Sequence, residues 1–164
     1  MLRILMNNIY TNQAYLKANP TWHDEDSPWK ASQVMALLAR NRLAAKKVAE
    51  IGCGAGGVIK ALADQMGSTA EFNGYDISPD AIELAAKHRR PGLNYFCEDL
   101  LQSPEQHDLL LVIDVIEHIP DYLGFTAKCQ TKARYKIYHI PLDIHVSSVL
   151  RARFVVGRRT VGHL

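Results

Sequence analysis

The chain has 164 residues and a formal charge of +2, from 19 Lys and Arg against 17 Asp and Glu, with 48% hydrophobic residues. That length holds one core and excludes two ordinary domains, and the small charge with no concentrated basic tract excludes an obvious nucleic-acid partner. Cys53, Cys97 and Cys129 are widely spaced with no CxxC pair, and no stretch approaches the ~20 apolar residues of a membrane span, so we expect no disulfide framework, no metal site, no membrane span and a cytoplasmic location.

Residues 1–30 are polar and aromatic and precede the first core strand, which predicts a cap or lid within a single domain over 1–164. Asp26 or Ser27 followed by Pro28 is a helix start, and Val34, Leu37, Leu38 and Leu43 then recur at roughly the helical period. From residue 47 strands and helices alternate. KVAEI (47–51) reads as a short buried strand, CGAGG as a turn and VIKALADQM as a helix. AEFNGY (70–75) is the next strand, and SPDAIELAAKHRR opens a helix capped by Ser78, with Pro79 and the acidic Asp80 in its first turn. LNYFC (93–97) and the continuous apolar run DLLLVI (108–113) are the third and fourth strands, the second of them with the pattern of a parallel sheet covered on both faces. Residues 119–131 form another crossover, weakened as one long helix by Gly124. RYKIYHI (134–140) is a fifth strand ended by Pro141, and 144–156 is helix or strand. The fold class that follows is α/β: a doubly wound, three-layer, Rossmann-like parallel sheet with right-handed crossovers. The basic residues Arg151, Arg153, Arg158 and Arg159 read as a solvated face.

The segment from Glu50 to Gly57 joins the first strand to a helix. Gly52 permits a tight turn, Gly54 lets a ligand approach the backbone, and Gly56 or Gly57 lets the helix pack on the sheet. Gly52, Gly54 and Gly57 also satisfy a dinucleotide fingerprint, with Asp76 at a suitable distance to hold ribose hydroxyls in either kind of cofactor. Glu50 argues against a pyrophosphate beside the loop and for the cationic amino end of a methionine moiety. No Lys-Ser/Thr follows the glycines, which excludes a triphosphate loop. Asp76 ends the second strand and Ile77 offers an apolar surface to a purine ring; Asp99, with Glu98 as competitor, follows the third strand where a carboxylate can accept from an adenine amine. Asp114 ends the fourth strand facing the methionine end, with Glu117 and His118 one turn on; His118 is the first candidate for a base near neutral pH, ahead of His145 and His23.

These segments, VAEIGCGAGG at 48–57, NGYDISPDAIELA at 73–85, FCEDL at 96–100 and DLLLVIDVIEHIPD at 108–121, resemble the class I S-adenosylmethionine-dependent methyltransferases, in particular the small-molecule, ubiquinone-biosynthesis-like branch. The resemblance implies S-adenosyl-L-methionine as cofactor, with Glu50, Gly52, Gly54 and Gly56 around its methionine part, Asp76 on the ribose, Ile77 and Asp99 at the adenine, and Asp114 with Glu117 and His118 at the reacting end. The leader NPTWHDEDSPWKA and YHIPLDIHVSSVLR also resemble poorly characterised bacterial methyltransferase-like proteins, which implies Trp22, His23, Trp29 and His145 as substrate-side residues. The family's sheet usually has seven strands; five are read here, so the last two are expected to be absent and the fifth strand to be an edge covered by a helix or by a second copy in a homodimer. Two other readings stay open at this level: a non-catalytic or degenerate cofactor-binding module, motivated by the missing strands, and an NAD-dependent oxidoreductase, motivated by the glycine fingerprint.

Overall fold

The computed structural model describes residues 24–67 and 70–142. Among them, β1 (Lys47–Ile51), β2 (Glu71–Tyr75), β3 (Leu93–Phe96), β4 (His107–Ile113) and β5 (Ala133–His139) form one parallel sheet in the order β3-β2-β1-β4-β5. Helices α1 (Ser27–Arg40), α2 (Gly57–Met66), α3 (Pro79–Ala86) and α4 (Tyr122–Cys129) cover it. This is the doubly wound, Rossmann-like sheet expected from the sequence. The segment 144–156 and the four arginines beyond it lie outside the described residues.

The apolar run of β4 is continuous because both of its faces are buried. Leu109, Leu111 and Ile113 pack with α1, α2 and α3, while Leu110 and Val112 pack with Phe125 and Cys129 of α4 on the other side. Val48 and Ala49 divide between the two layers in the same way.

α1 begins after Asp26 with Pro28 in its first turn, where a missing N–H costs nothing. Its buried stripe is Ala31, Val34 and Leu38; Leu37, read from the sequence as part of that stripe, is 44% exposed. The stripe packs chiefly against α2, in one cluster with Val58, Ile59 and Leu62, and it carries Lys30 inside with it.

α3 is capped as expected: the Ser78 hydroxyl accepts from the Ala81 N–H at 3.4 Å and is itself buried. Ser78→Ala is therefore expected to cost about 1 kcal/mol and to lower the thermal midpoint by a few degrees; an unchanged melting curve would show that the cap contributes nothing. The helix stops at Ala86, short of the run to Arg90 read from the sequence. Pro91 disfavours the helical region at Arg90, and the chain instead turns through Gly92 into β3.

The fourth crossover also divides. A 3-10 turn spans Ile116–His118, and after Pro120 the Asp121 carboxylate accepts from the Gly124 N–H at 2.9 Å to start α4. From β1 the chain builds β2 and β3 on one side and β4 and β5 on the other. The order therefore reverses between β1 and β4, and ligands of such sheets bind at that crevice beyond the carboxyl ends of the strands.

Candidate functional site

The chain leaves β1 through Gly52, Gly54 and Gly56, all in the left-handed region with φ of +69°, +54° and +83°. The N–H groups of Gly52 and Cys53 donate to the Tyr75 carbonyl at 2.8 and 3.1 Å, which ties the loop to the end of β2. Gly56 is the glycine that sets close packing. A Cβ there would stand 2.4 Å from Cε1 of Tyr95, a buried β3 side chain whose hydroxyl donates to the Gly56 carbonyl at 3.1 Å.

Asp76, just past β2, braces the loop from below. One carboxylate oxygen accepts from the Gly54 N–H at 2.9 Å and the other from the Ser78 N–H at 2.8 Å. Burial raises its pKa, against the opposing pull of the backbone N–H groups of Ser78, Gly54 and Ile77. Each oxygen keeps a further lone pair for a ligand hydroxyl.

Glu50, in β1, is 2% exposed, and its carboxyl accepts from the Ile59 N–H in the first turn of α2 at 3.1 Å. Burial pushes its pKa up to about 8; the Ile59 N–H and the Lys30 charge oppose this, and the negative charges of Asp114 and Asp76 add to it. At neutral pH the carboxyl therefore keeps its proton until a cation comes beside it.

Beyond β2 and β3, Ile77 is 42% exposed, an apolar surface at the lip of the crevice. Asp99 is exposed and caps the short turn Leu100–Gln102, accepting from the Leu101 N–H at 2.9 Å and from the Gln102 side chain at 3.3 Å. Glu98 beside it is exposed as well.

At the end of β4, Asp114 adopts φ +54°, a left-handed conformation that non-glycine residues adopt at a cost and that recurs at functional sites. Its carboxylate lies between two side chains from distant parts of the chain. Oδ2 pairs with Nζ of Lys30 at 2.6 Å, and Oδ1 meets Nδ1 of His139 at 2.5 Å. Lys30 also pairs with Asp26 at 2.9 Å. Burial works against the Lys30 charge, but the bonds to Asp114 and Asp26 outweigh it and raise its pKa. Trp29, 55% exposed, meets the His139 ring edge-on with centroids 6.2 Å apart. Glu117 and His118 are half-buried on the turn after β4.

The fold thus brings Glu50, Gly52, Gly54, Gly56, Asp76, Ile77 and Asp114 to one edge of the sheet, with Asp99, Glu117 and His118 on the loops that continue from it. Trp22, His23 and His145 lie outside the described residues. Lys30 and His139 were not singled out from the sequence. His139 carried one usable signal, its place at the carboxyl end of a strand, which also marks Asp76 and Asp114. Among the described residues no group of three His, Cys, Asp or Glu side chains is placed to hold a metal ion, and no helix is long and apolar enough to cross a membrane.

A glycine loop on the first strand of such a sheet, an acid beneath it and a second acid closing β2 define a nucleotide-type cofactor domain, and here the match is specific: the chain belongs to the methyltransferase domain family, whose model covers residues 49–134. It is 28% identical over 145 residues to the ubiquinone biosynthesis O-methyltransferase of Actinobacillus pleuropneumoniae serotype 5b, covering 76% of this chain and 61% of that protein. To the enzyme of the same name from Mesorhizobium japonicum it is 34% identical over 113 residues, covering 62% and 44%. The chain spans about three fifths of the length of the first of these relatives. In fold it is similar to the magnesium protoporphyrin IX methyltransferase of Synechocystis PCC 6803 with bound SAH, at a TM-score of 0.70 and 19% identity over 92% of this chain and 76% of that one. The plantazolicin methyltransferase BpumL gives a TM-score of 0.69 at 14% identity, over 96% and 64%.

Proposed function

We propose that this chain is the cofactor-binding domain of an S-adenosylmethionine-dependent methyltransferase that acts on a small-molecule acceptor. The observation that carries the reading is the cradle at the end of β1: three left-handed glycines above buried Glu50, locked to Asp76 through the Gly54 N–H.

The residues fit this cofactor chemically. A Cβ on Gly52 would come within 2.5 Å of Val115 and one on Gly56 within 2.4 Å of Tyr95, so the loop keeps its open backbone only with glycine. Glu50 and Asp114 suit a cationic amino-acid end, Asp76 a ribose diol, and exposed Ile77 the face of a purine. The carboxylates of Asp76 and Asp114 at one edge, with Lys30 already held by Asp114 and Asp26, are a poor setting for a pyrophosphate, which weighs against a dinucleotide. Asp99 stands where it can accept from the adenine amine with the lone pairs its cap bonds leave free.

When bound, S-adenosylmethionine supplies a methyl group already activated on a positively charged sulfur. The chain's own work is then placement: Glu50 and Asp76 fix the two ends of the cofactor, while Trp29, Glu117 and His118 stand on the acceptor side. The resemblance to ubiquinone biosynthesis O-methyltransferases supports an acceptor of that size, and the ubiquinone-type branch is the finer form of the proposal.

Isothermal titration of the 164-residue chain with S-adenosylmethionine and S-adenosylhomocysteine tests it. Saturable binding is expected, weakened at least about tenfold in Asp76→Ala, the loss of one charge-assisted bidentate contact. A folded wild-type chain that binds neither compound overturns the reading.

A further inference from the structure

His118 is the histidine that sequence motifs favour as a base. The geometry points to another: we infer that His139 is the catalytic base, that Asp114 and Lys30 are its positioning residues, and that the acceptor is a hydroxyl group on an apolar or aromatic body. The inference rests on the methyltransferase reading and deepens it.

An ionised carboxylate can only accept, so the 2.5 Å contact between Asp114 Oδ1 and His139 Nδ1 requires a proton on Nδ1. In the neutral imidazole this leaves Nε2 bare, with its lone pair available. The other carboxylate oxygen is engaged by Lys30 at 2.6 Å, and Lys30 is itself buried and pinned by Asp26. The charged groups gathered at the imidazole are thus Asp114 from the end of β4, Lys30 from α1 and, through Lys30, Asp26 just before that helix. Lys30 holds the second oxygen of Asp114, so the carboxylate stays fixed with its first oxygen on the ring. The Asp114 backbone is tied to the same place, its N–H donating to the His139 carbonyl at 3.0 Å.

The ring lies at the carboxyl edge of the sheet, one strand from the crevice between β1 and β4, and is about one third exposed. Trp29 stands edge-on to it, an aromatic wall for the body of an acceptor. A neutral imidazole is suited to a hydroxyl, which is a poor nucleophile until it loses its proton; a carboxylate acceptor needs no base. His139 Nε2 would take the proton of the acceptor hydroxyl as its oxygen bonds the methyl carbon that bound S-adenosylmethionine would supply, the carbon–sulfur electron pair would stay on sulfur, and the imidazolium would then return the proton to solvent.

Long-range proton–nitrogen NMR on the 15N-histidine-labelled chain reads the tautomer and titration of His139 directly. The expected result is a bare Nε2 in the wild type. Asp114→Asn is expected to mix the Nδ1 and Nε2 tautomers, since an amide can offer Nδ1 a donor as well as an acceptor. With S-adenosylhomocysteine bound, 4-nitrophenol, whose absorption reports its ionisation, is expected to ionise at lower pH on the wild type than on His139→Gln. The affinity of His139→Gln for S-adenosylhomocysteine stays within about threefold of wild type, which separates failure of this inference from failure of the cofactor site. A protonated Nε2 in the neutral wild-type imidazole, a tautomer unchanged by Asp114→Asn, or a 4-nitrophenol shift that survives in His139→Gln overturns it.

Discussion

Glu50→Gln is expected to remove most of the fall in stability that burial of this carboxyl imposes on the wild-type chain between about pH 4.5 and 8. The folded carboxyl holds its proton up to about 8, against an ordinary 4.5, chiefly because burial in β1 disfavours the anion. Across that window the unfolded chain has given up a proton that the folded chain keeps. Folding therefore takes up a proton, and stability decreases as pH rises until it levels off above 8. The loss is on the order of 4 kcal/mol, a large share of what a domain of this size possesses. Gln keeps an acceptor for the Ile59 N–H but cannot ionise, so the variant is expected to match wild type near pH 4.5 and to exceed it clearly at pH 8. Urea denaturation at several pH values measures both slopes, and parallel slopes would show that Glu50 ionises normally in the fold. On the proposed function, the same carboxyl is expected to make cofactor binding pH-dependent. A cationic amino group stabilises the anion, so affinity is expected to rise from pH 6 to 9 in the wild type and to stay flat in the variant.

Gly56→Ala is expected to cost about 3–5 kcal/mol, split between two causes that a shift of one neighbour cannot relieve together. At φ +83° any side chain is strained. The new methyl would also stand 2.4 Å from the ring of Tyr95, which is 1% exposed and so has no room to retreat. Its bond to the Gly56 carbonyl, on the loop that carries the cofactor cradle, would break as well. Chemical denaturation and cofactor titration should fail together in this variant, whereas a small stability loss with intact binding would show that the loop can move as a unit.

Much of this was legible because it is local. The buried strands announce themselves as apolar runs, and β4 reads as a two-faced strand from DLLLVI alone. Ser78 and Pro79 mark the start of α3 with the hydrogen-bond chemistry of the neighbouring backbone. The glycine loop is legible because only glycine adopts three left-handed turns within five residues at little cost. Misreadings arose where a boundary or face depends on what lies opposite. Leu37 has the right period for the core of α1, yet the residues buried there are Ala31, Val34 and Leu38.

The sequence by itself determined the parallel α/β class, the order of the elements and the placing of Glu50, the glycine loop and Asp76 together in the candidate site, since these follow from periodicity, caps and spacing within one β-α-β unit. Only the tertiary structure decided the other half. Placing β4 beside β1 and β5 beyond it brings Lys30 from α1, Asp114 from the end of β4 and His139 from the end of β5 within ion-pair distance. No local pattern encodes that meeting, because an ion pair between distant segments depends on strand order and on which turn of a helix faces the sheet.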